Sequence, residues 1–388
     1  MSESIKTGVL IVGASHAGVE CAVALRAAGY AEPIALLGAE AHVPYHRPPL
    51  SKDYLAGKTT PERLMLRSPD VFQKQDIQWF GGQTATELDI SGKSVKTAAG
   101  LSLQFDHCVL ATGASARHLP GLQGPNVHAI RTLDDANALR GALAAGVRLL
   151  VLGGGYLGLE VASTATKLGA QVCVVESSPV LMSGRVSAYT AQRFETLHRQ
   201  SGIEVYLGVQ AQSWRNEGGC WHVELDNRAG LQADVLLVAI GATPNVDLAQ
   251  HAGVLCSAGI QVDAACRTSA EHIYAIGDCT LAWREPLQRS ARVESVQNAL
   301  EQARTAAAAI AGKPLPPVKP STFWSEQQGH RLQMAGLVDP QLPIHDTPTE
   351  TASGWLVERR HNDVLVGVEA VNSPADFVRA MRRISEPA

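Results

Sequence analysis

Two glycine-rich turns, each set between an aliphatic run and a helix-forming segment, constrain this chain more than any other feature. The first is Gly13-Ala-Ser-His-Ala-Gly18, after residues 9–12; the second is Gly153-Gly-Gly-Tyr-Leu-Gly158, after residues 149–152. Strand, glycine turn and helix in that order form the cradle a dinucleotide pyrophosphate needs. Small residues let the backbone close on the phosphates, and the helix N-terminus offers free N–H donors and partial positive charge. Two such cradles in one chain imply two dinucleotides held at once, most simply a flavin and a nicotinamide exchanging a hydride. The expected fold is α/β, with two Rossmann-like dinucleotide-binding domains plus a small C-terminal α+β domain.

The pattern around the turns sets the layout. Residues 8–12 read as a strand, 18–28 as a helix closed by Gly29, and 34–37 as a second strand, a right-handed unit. Residues 105–110 read as a buried strand ending in Ala111-Thr-Gly-Ala114. From residue 147 the pattern restarts: strand 149–152, helix 157–168, strand 171–175 ending at Glu176, and strand 235–240 ending in Gly241-Ala-Thr-Pro-Asn245. Each half closes a strand with Gly-Ala, so the second unit reads as an insert in the first. A strand running into a polar turn over 273–278, an alanine-rich helix at 295–311 and a stiff linker with three prolines at 313–319 follow. Strands at 355–358 and 364–371 and a helix at 376–384 complete the chain. The expected domains are 1–114 with 245–316 for FAD, 115–244 for NAD, and 317–388 at the C-terminus.

Composition narrows the class. With 388 residues, 45% hydrophobic and 18% charged, the chain is an ordinary globular protein of two or three domains. Its apolar runs are strand-sized, which argues against a membrane partner. A net charge of −4 with no basic tract argues against nucleic acid. The first residues lack a secretory signal, so a cytoplasmic location is expected. The seven cysteines (Cys21, Cys108, Cys173, Cys220, Cys256, Cys266, Cys279) include no Cys-x-x-Cys, so neither a redox dithiol nor a metal site is expected. They read as free thiols, most of them small core residues.

Within the first turn, Ser15 stands where the fingerprint usually has its second glycine; it is small and can donate a hydrogen bond. Gly13, Ser15, His16, Ala17 and Gly18 are therefore taken as cofactor-binding. Glu40 follows the next strand and suits an adenosine ribose or, equally, a solvated surface. The second turn has all three glycines, Gly153, Gly155 and Gly158, enclosing Tyr156 and Leu157. Glu176, at the tip of the following strand, is placed to hold a ribose diol and repel a 2′-phosphate. Glu160 either contacts the nicotinamide region or serves as a favourable charge near a helix N-terminus. In Arg47-Pro-Pro-Leu-Ser-Lys52, a lysine near a flavin would offset negative charge on the ring and an arginine would hold pyrophosphate; alone, both read as surface cations. Asp278, after Gly277, suits a ribityl chain or an ordinary turn.

Taken in order, these motifs resemble the FAD-dependent, NADH-oxidising ferredoxin reductases of bacterial ring-hydroxylating dioxygenase and cytochrome P450 systems, which are glutathione-reductase-like flavoproteins. The resemblance runs nearly end to end. Besides the two turns it rests on Pro44-Tyr-His-Arg-Pro-Pro-Leu-Ser-Lys52, Ala111-Thr-Gly113, Gly277-Asp278, Glu294-Ser-Val-Gln-Asn298 and Phe323-Trp-Ser-Glu326. It implies that Arg47 and Lys52 contact FAD, that Ala111, Thr112 and Gly113 line it, that Asp278 holds the ribityl, and that Val296 covers the ring. Gly241 joins the cofactor-lining set. Trp324 would lie at the flavin on the electron exit route; without the resemblance it reads as a domain-interface anchor. Lys52, Glu160 and Trp324 are the expected catalytic residues. The chain departs from its relatives at Ser15 and at Ser325-Glu-Gln-Gln-Gly-His330, the latter bearing on partner choice.

The implied function is electron transfer from NADH through FAD to a small [2Fe-2S] ferredoxin supplying an aromatic-ring-hydroxylating dioxygenase, by a monomer or homodimer. The alternatives are a ferredoxin or rubredoxin reductase of a P450 or alkane hydroxylase system, and an NADH-responsive interaction module; a disulfide reductase is disfavoured by the missing dithiol. Arg289, Arg292, Lys319, Arg331, Arg379, Arg382 and Arg383 are the candidate docking cations for an acidic ferredoxin. From Glu176, a higher kcat/KM with NADH than with NADPH is expected. Steady-state kinetics with both cofactors check this, and parity would remove the role given to Glu176.

Overall fold

The structure, a computed structural model, describes residues 5–385. The chain divides into two compact units. One comprises Met1–His46, Pro61–Ser115 and Pro244–Ser321; the other comprises Arg47–Thr60, Ala116–Thr243 and Thr322–Ala388.

In the first unit, the strands Ile77–Phe80, Ile34–Leu37, Ile5–Val12 and Ser102–Leu110 lie side by side and parallel, with Ile273–Ala275 beside the C-terminal half of Ser102–Leu110. Side chains alternate across this sheet. Val9, Ile11, Ile34 and Leu36 fill one core layer, while Leu10, Val12, Ala35 and Leu37 fill the other. Burial on both faces explains why these strands read as unbroken aliphatic runs. Ser94–Thr97 and Ala85–Asp89 extend the sheet as an antiparallel pair from the N-terminal half of Ser102–Leu110. Helix His16–Ala27 packs on helix Val296–Ile310 through Ala17, Cys21, Ala22 and Leu25 against Ala299, Ala303, Ala306 and Ala307. Small residues on both sides let the backbones approach, which accounts for the alanine content of the second helix.

The second unit repeats the plan. Glu204–Leu207, Gln171–Glu176, Arg148–Leu152, Val235–Val238 and Val127–His128 form a parallel sheet with Arg148–Leu152 at its centre. An antiparallel sheet of Ala211–Glu217, Cys220–Leu225 and Gly230–Ala233 covers one face, packing Trp221, Val223 and Leu225 on Leu150, Leu152 and Leu236. In the same unit Thr322–Gln327, His330–Gly336, Val364–Val371, Trp355–His361 and His345–Glu350 form a five-stranded antiparallel sheet. Helix Pro374–Ser385 sets Phe377 and Ala380 against its Ala335, Val368 and Ala370.

Several boundaries differ from the sequence reading. The two turn-bearing helices start at His16 and Tyr156, so Gly18 and Gly158 lie inside them. The strand at 235 stops at Val238, and the one at 273 stops at Ala275, where Gly277–Cys279 forms a 3-10 turn. Helices Leu133–Ala142 and Ala188–Gln200 were not expected; both are largely polar outside a narrow buried stripe, and the first is held by a capping box of Thr132 and Asp135. All seven cysteines are free thiols, and Cys21, Cys108, Cys266 and Cys279 are buried. No helix among the described residues is long and apolar enough to cross a membrane.

Ala303 is fully buried in the helix pair. Ala303→Leu is expected to destabilise the protein by about 1–3 kcal/mol through overpacking. Thermal unfolding measures this, and an unchanged Tm would mean the two helices have room to separate.

Candidate functional site

The two glycine turns share one geometry. Gly13 and Gly153 take φ of +117° and +114°. A Cβ on Gly13 would lie 2.1 Å from the Ala111 carbonyl oxygen, and one on Gly153 would lie 2.5 Å from that of Ala239. The third glycines face the first: a Cβ on Gly18 would sit 1.8 Å from the Gly13 oxygen, and on Gly158 2.3 Å from the Gly153 oxygen. These four positions are glycine because the chain's own backbone occupies the space. Gly155 is different, since nothing lies within 4 Å of a Cβ built there. It caps helix Tyr156–Lys167 with extended backbone and no side chain. The fold leaves that space open, and a pyrophosphate is the group that would fill it. Ser15 has the corresponding place at the start of helix His16–Ala27, where its side chain makes no capping bond.

Around the first turn, His16 and Ala17 are buried in the helix, and the His16 ring lies 5.4 Å from that of His46. Glu40 accepts a hydrogen bond from the Tyr45 hydroxyl, so it is no free surface carboxylate. The Thr112 hydroxyl donates to the Asn245 carbonyl at 2.7 Å, and the Asn245 amide returns a bond to Thr112 at 2.9 Å. This fixes Ala111, Thr112 and Gly113 beside the turn. Gly277 approaches it from the other side, for a Cβ there would lie 3.1 Å from that of Ala17. Its N–H donates to the Gln302 side-chain oxygen at 2.8 Å, which holds the Gly277-Asp278 corner in place. Val296 opens the helix capped by Ser295.

Around the second turn, Glu176 ends its strand with the carboxylate already accepting from the Gly154 and Ser178 N–H groups, both at 2.7 Å. That grip aims the carboxylate along the turn. Tyr156 packs against Phe323 at 4.6 Å and donates to the Met334 sulfur at 3.3 Å. Burial pushes its phenol well above the ordinary range. Leu157 is partly exposed, and Gly241 follows the strand Val235–Val238 at φ +102°.

Glu160 is held by the protein's own donors. Glu160 is 6% exposed, and its carboxylate is met by protein donors. It accepts from Lys52 Nζ at 2.5 Å, from the Ser51 and Ser325 hydroxyls at 2.7 Å each, and from the Glu326 N–H at 3.3 Å. A buried carboxylate needs such a set, because desolvation costs several kcal/mol unless charge and lone pairs are met. Lys52 also donates to the Pro48 carbonyl at 3.1 Å, and Thr164 donates to the Ser51 carbonyl at 2.8 Å. Arg47 donates to the Arg131 carbonyl. Trp324 precedes Ser325 in the strand Thr322–Gln327. Lys52, Glu160 and the Trp324 strand thus meet in one cluster. Ser51 and Ser325 were missed by the sequence reading, although each sits in a quoted motif beside a singled-out residue. No group of acidic, histidine or cysteine side chains suited to a metal occurs among the described residues.

Residues 7–303 match the pyridine nucleotide-disulphide oxidoreductase family, and residues 322–388 match the reductase C-terminal domain. Terpredoxin reductase of a Pseudomonas species is 37% identical, covering 97% of this chain and 92% of its own. The ferredoxin–NAD(+) reductase subunit of the benzene 1,2-dioxygenase system of Pseudomonas putida is 35% identical, with coverage of 97% and 92%. Among solved structures, putidaredoxin reductase in its covalent complex with putidaredoxin superposes with a TM-score of 0.92 at 37% identity, covering 97% of this chain and 93% of that one.

Gly155→Ala is expected to fold normally and weaken NADH binding about tenfold, since its methyl group meets only the ligand. Gly153→Ala strains the backbone and should lower stability by about 1–3 kcal/mol. Equal loss of Tm in both variants would contradict the open cradle at Gly155.

Proposed function

The chain belongs to the pyridine nucleotide-disulphide oxidoreductase family, and from that footing we propose that it takes electrons from NADH through FAD to a small [2Fe-2S] ferredoxin. The observation that carries this reading is the duplicated cradle, each copy following the central strand of its own parallel sheet. FAD, when bound, accepts two electrons together as a hydride and returns them singly, which suits a one-electron acceptor.

The residue roles follow from the site. Gly153, Gly155, Tyr156, Leu157, Gly158 and Gly241 shape the nicotinamide nucleotide site, with Glu176 accepting from the ribose hydroxyls. Gly13, Ser15, His16, Ala17 and Gly18 receive the FAD pyrophosphate. Glu40, Arg47, Ala111, Thr112, Gly113, Gly277, Asp278 and Val296 take the FAD contacts expected of them. This assigns FAD to residues 1–114 and 245–316, NAD to 115–244, and a C-terminal domain to 317–388. Lys52 supplies the cation that offsets negative charge on the flavin, and Glu160 holds that cation in one place against its long, mobile stem. Trp324 is the aromatic group on the electron exit route.

The terminal oxygenase is not chosen by overall similarity, since relatives named for terpredoxin and for a benzene dioxygenase system match at 37% and 35% identity. The ring-hydroxylating dioxygenase reading rests on the resemblance of Arg331-Leu-Gln-Met-Ala-Gly336 to the corresponding stretch of dioxygenase reductases. Of the candidate docking cations, Arg292, Arg379 and Arg383 pair within the chain with Glu294, Asp376 and Glu358. The other docking candidates are Arg289, Lys319, Arg331 and Arg382. The free thiols suit a reducing cytoplasm.

The test is reconstitution with purified ferredoxins, following NADH-driven reduction of each. Ferredoxin turnover is expected to fall steeply with ionic strength while reduction of a small neutral dye stays nearly constant. Parallel salt curves would reject electrostatic docking, and failure to reduce any ferredoxin would reject the acceptor class.

A further inference from the structure

Behind the Lys52–Glu160 pair lies a buried polar chain that the reaction itself does not call for. The Ser325 hydroxyl donates to Glu160 at 2.7 Å and is approached by the Gln327 side-chain nitrogen at 3.0 Å. The Gln327 side-chain oxygen lies 3.0 Å from His198 Nε2. Ser325, Gln327 and His198 are each at most 1% exposed. Gln327 sits on the strand Thr322–Gln327 and His198 in the helix Ala188–Gln200.

The direction of every bond follows from the carboxylate. Glu160, paired with Lys52, can only accept, so Ser325 spends its single proton there. The Ser325 oxygen must then accept from Gln327, which turns the amide nitrogen toward Ser325 and the amide oxygen toward His198. The amide oxygen needs a donor, so His198 carries its proton on Nε2. Burial holds the ring in its neutral form, and its Nδ1 has no hydrogen-bond partner. Neutral imidazole has one proton, and the unpartnered Nδ1 agrees with that proton being on Nε2. The opposite tautomer would set two acceptors face to face across 3.0 Å.

We propose that His198 is a positioning residue for the Lys52–Glu160 pair, acting through Gln327 and Ser325 to hold the carboxylate, and with it the lysine ammonium, in one orientation. This rests on the assignment of Lys52 to the flavin. Without the His198 proton, the Gln327 amide is free to turn over, Ser325 loses its fixed donor, and Glu160 loses its exclusive claim on the Ser325 hydroxyl.

The histidine tautomer is read directly by ring-nitrogen NMR on selectively labelled holoenzyme. A protonated Nε2 and a bare Nδ1 at His198 near neutral pH are expected, and the reverse assignment overturns the proposal. In stopped-flow mixing with NADH, His198→Phe is expected to slow flavin bleaching about tenfold, a loss typical of one buried hydrogen bond, while the Kd for NADH stays constant. His198→Gln restores a donor near the Nε2 position and should recover the rate to within about twofold. Gln327→Leu should match His198→Phe, and the double variant should be no slower, because both break one chain. A wild-type rate in His198→Phe, or His198→Gln as slow as His198→Phe at equal FAD content, overturns the proposal. If His198→Phe loses FAD, Gln327→Leu carries the rate measurement. Lys52→Met separates the layers. A slow Lys52→Met beside a normal His198→Phe rejects the positioning chain alone, whereas a normal Lys52→Met removes the role of the pair and this proposal with it.

Discussion

The buried Glu160 carboxylate ties together segments of the second unit that lie far apart along the chain. It draws donors from Ser51 and Ser325, which lie 109 and 165 residues away along the chain. Those residues bring with them the Pro48–Ser51 turn and the strand Thr322–Gln327. Both segments donate to this one carboxylate. Neither could abandon the carboxylate without leaving a desolvated charge, which costs about 3–5 kcal/mol when one partner of a buried pair is lost. Electrostatics of this kind fixes relative placement more sharply than hydrophobic burial, because hydrogen bonds have direction.

The first and third glycines of both turns answer to the fold. Their missing Cβ atoms make way for a strand-end carbonyl and for the turn's own oxygen, in both units within a few tenths of an ångström of the same arrangement. At the middle position of the second turn, Gly155, nothing in the chain lies within 4 Å of a Cβ built there. That division explains why Ser15 is tolerable where Gly155 is a glycine: nothing in the folded chain demands glycine at Gly155. A fingerprint read as three equivalent glycines hides this difference in physical origin.

The parallel sheets and their turns were legible because burial on two faces leaves unbroken aliphatic runs, and because a left-handed turn beside a strand admits little besides glycine. The Gln171–Glu176 strand placed Glu176 correctly for the same reason. The helix Ala188–Gln200 was missed because it buries only Thr190, Ala191, Phe194 and His198 and is otherwise polar. The C-terminal sheet was read as two strands rather than five, since Thr322–Gln327 and His345–Glu350 have too few alternating apolar residues to stand out. Glu160 was noticed for its place near a glycine turn, and the true reason for its burial lay in serines that no local pattern reports. Long-range polar satisfaction leaves no periodic trace in a sequence.

A lysine on a flexible stem is a poor instrument for setting the electronics of a bound ring unless something removes its freedom. Here the ammonium has the Glu160 carboxylate at 2.5 Å and the Pro48 carbonyl at 3.1 Å, and the carboxylate is itself tied by two hydroxyls. Each added bond narrows the positions the charge can visit, and side-chain entropy near 2 kcal/mol for a free lysine sets the scale of that ordering. The ordering comes from the chain's own donors and acceptors. Preorganised charge is more effective than charge recruited during a reaction, because its reorganisation cost has already been met in folding. Ser325, Gln327 and His198 extend that ordering behind the pair as a chain of buried polar contacts that ends on the carboxylate.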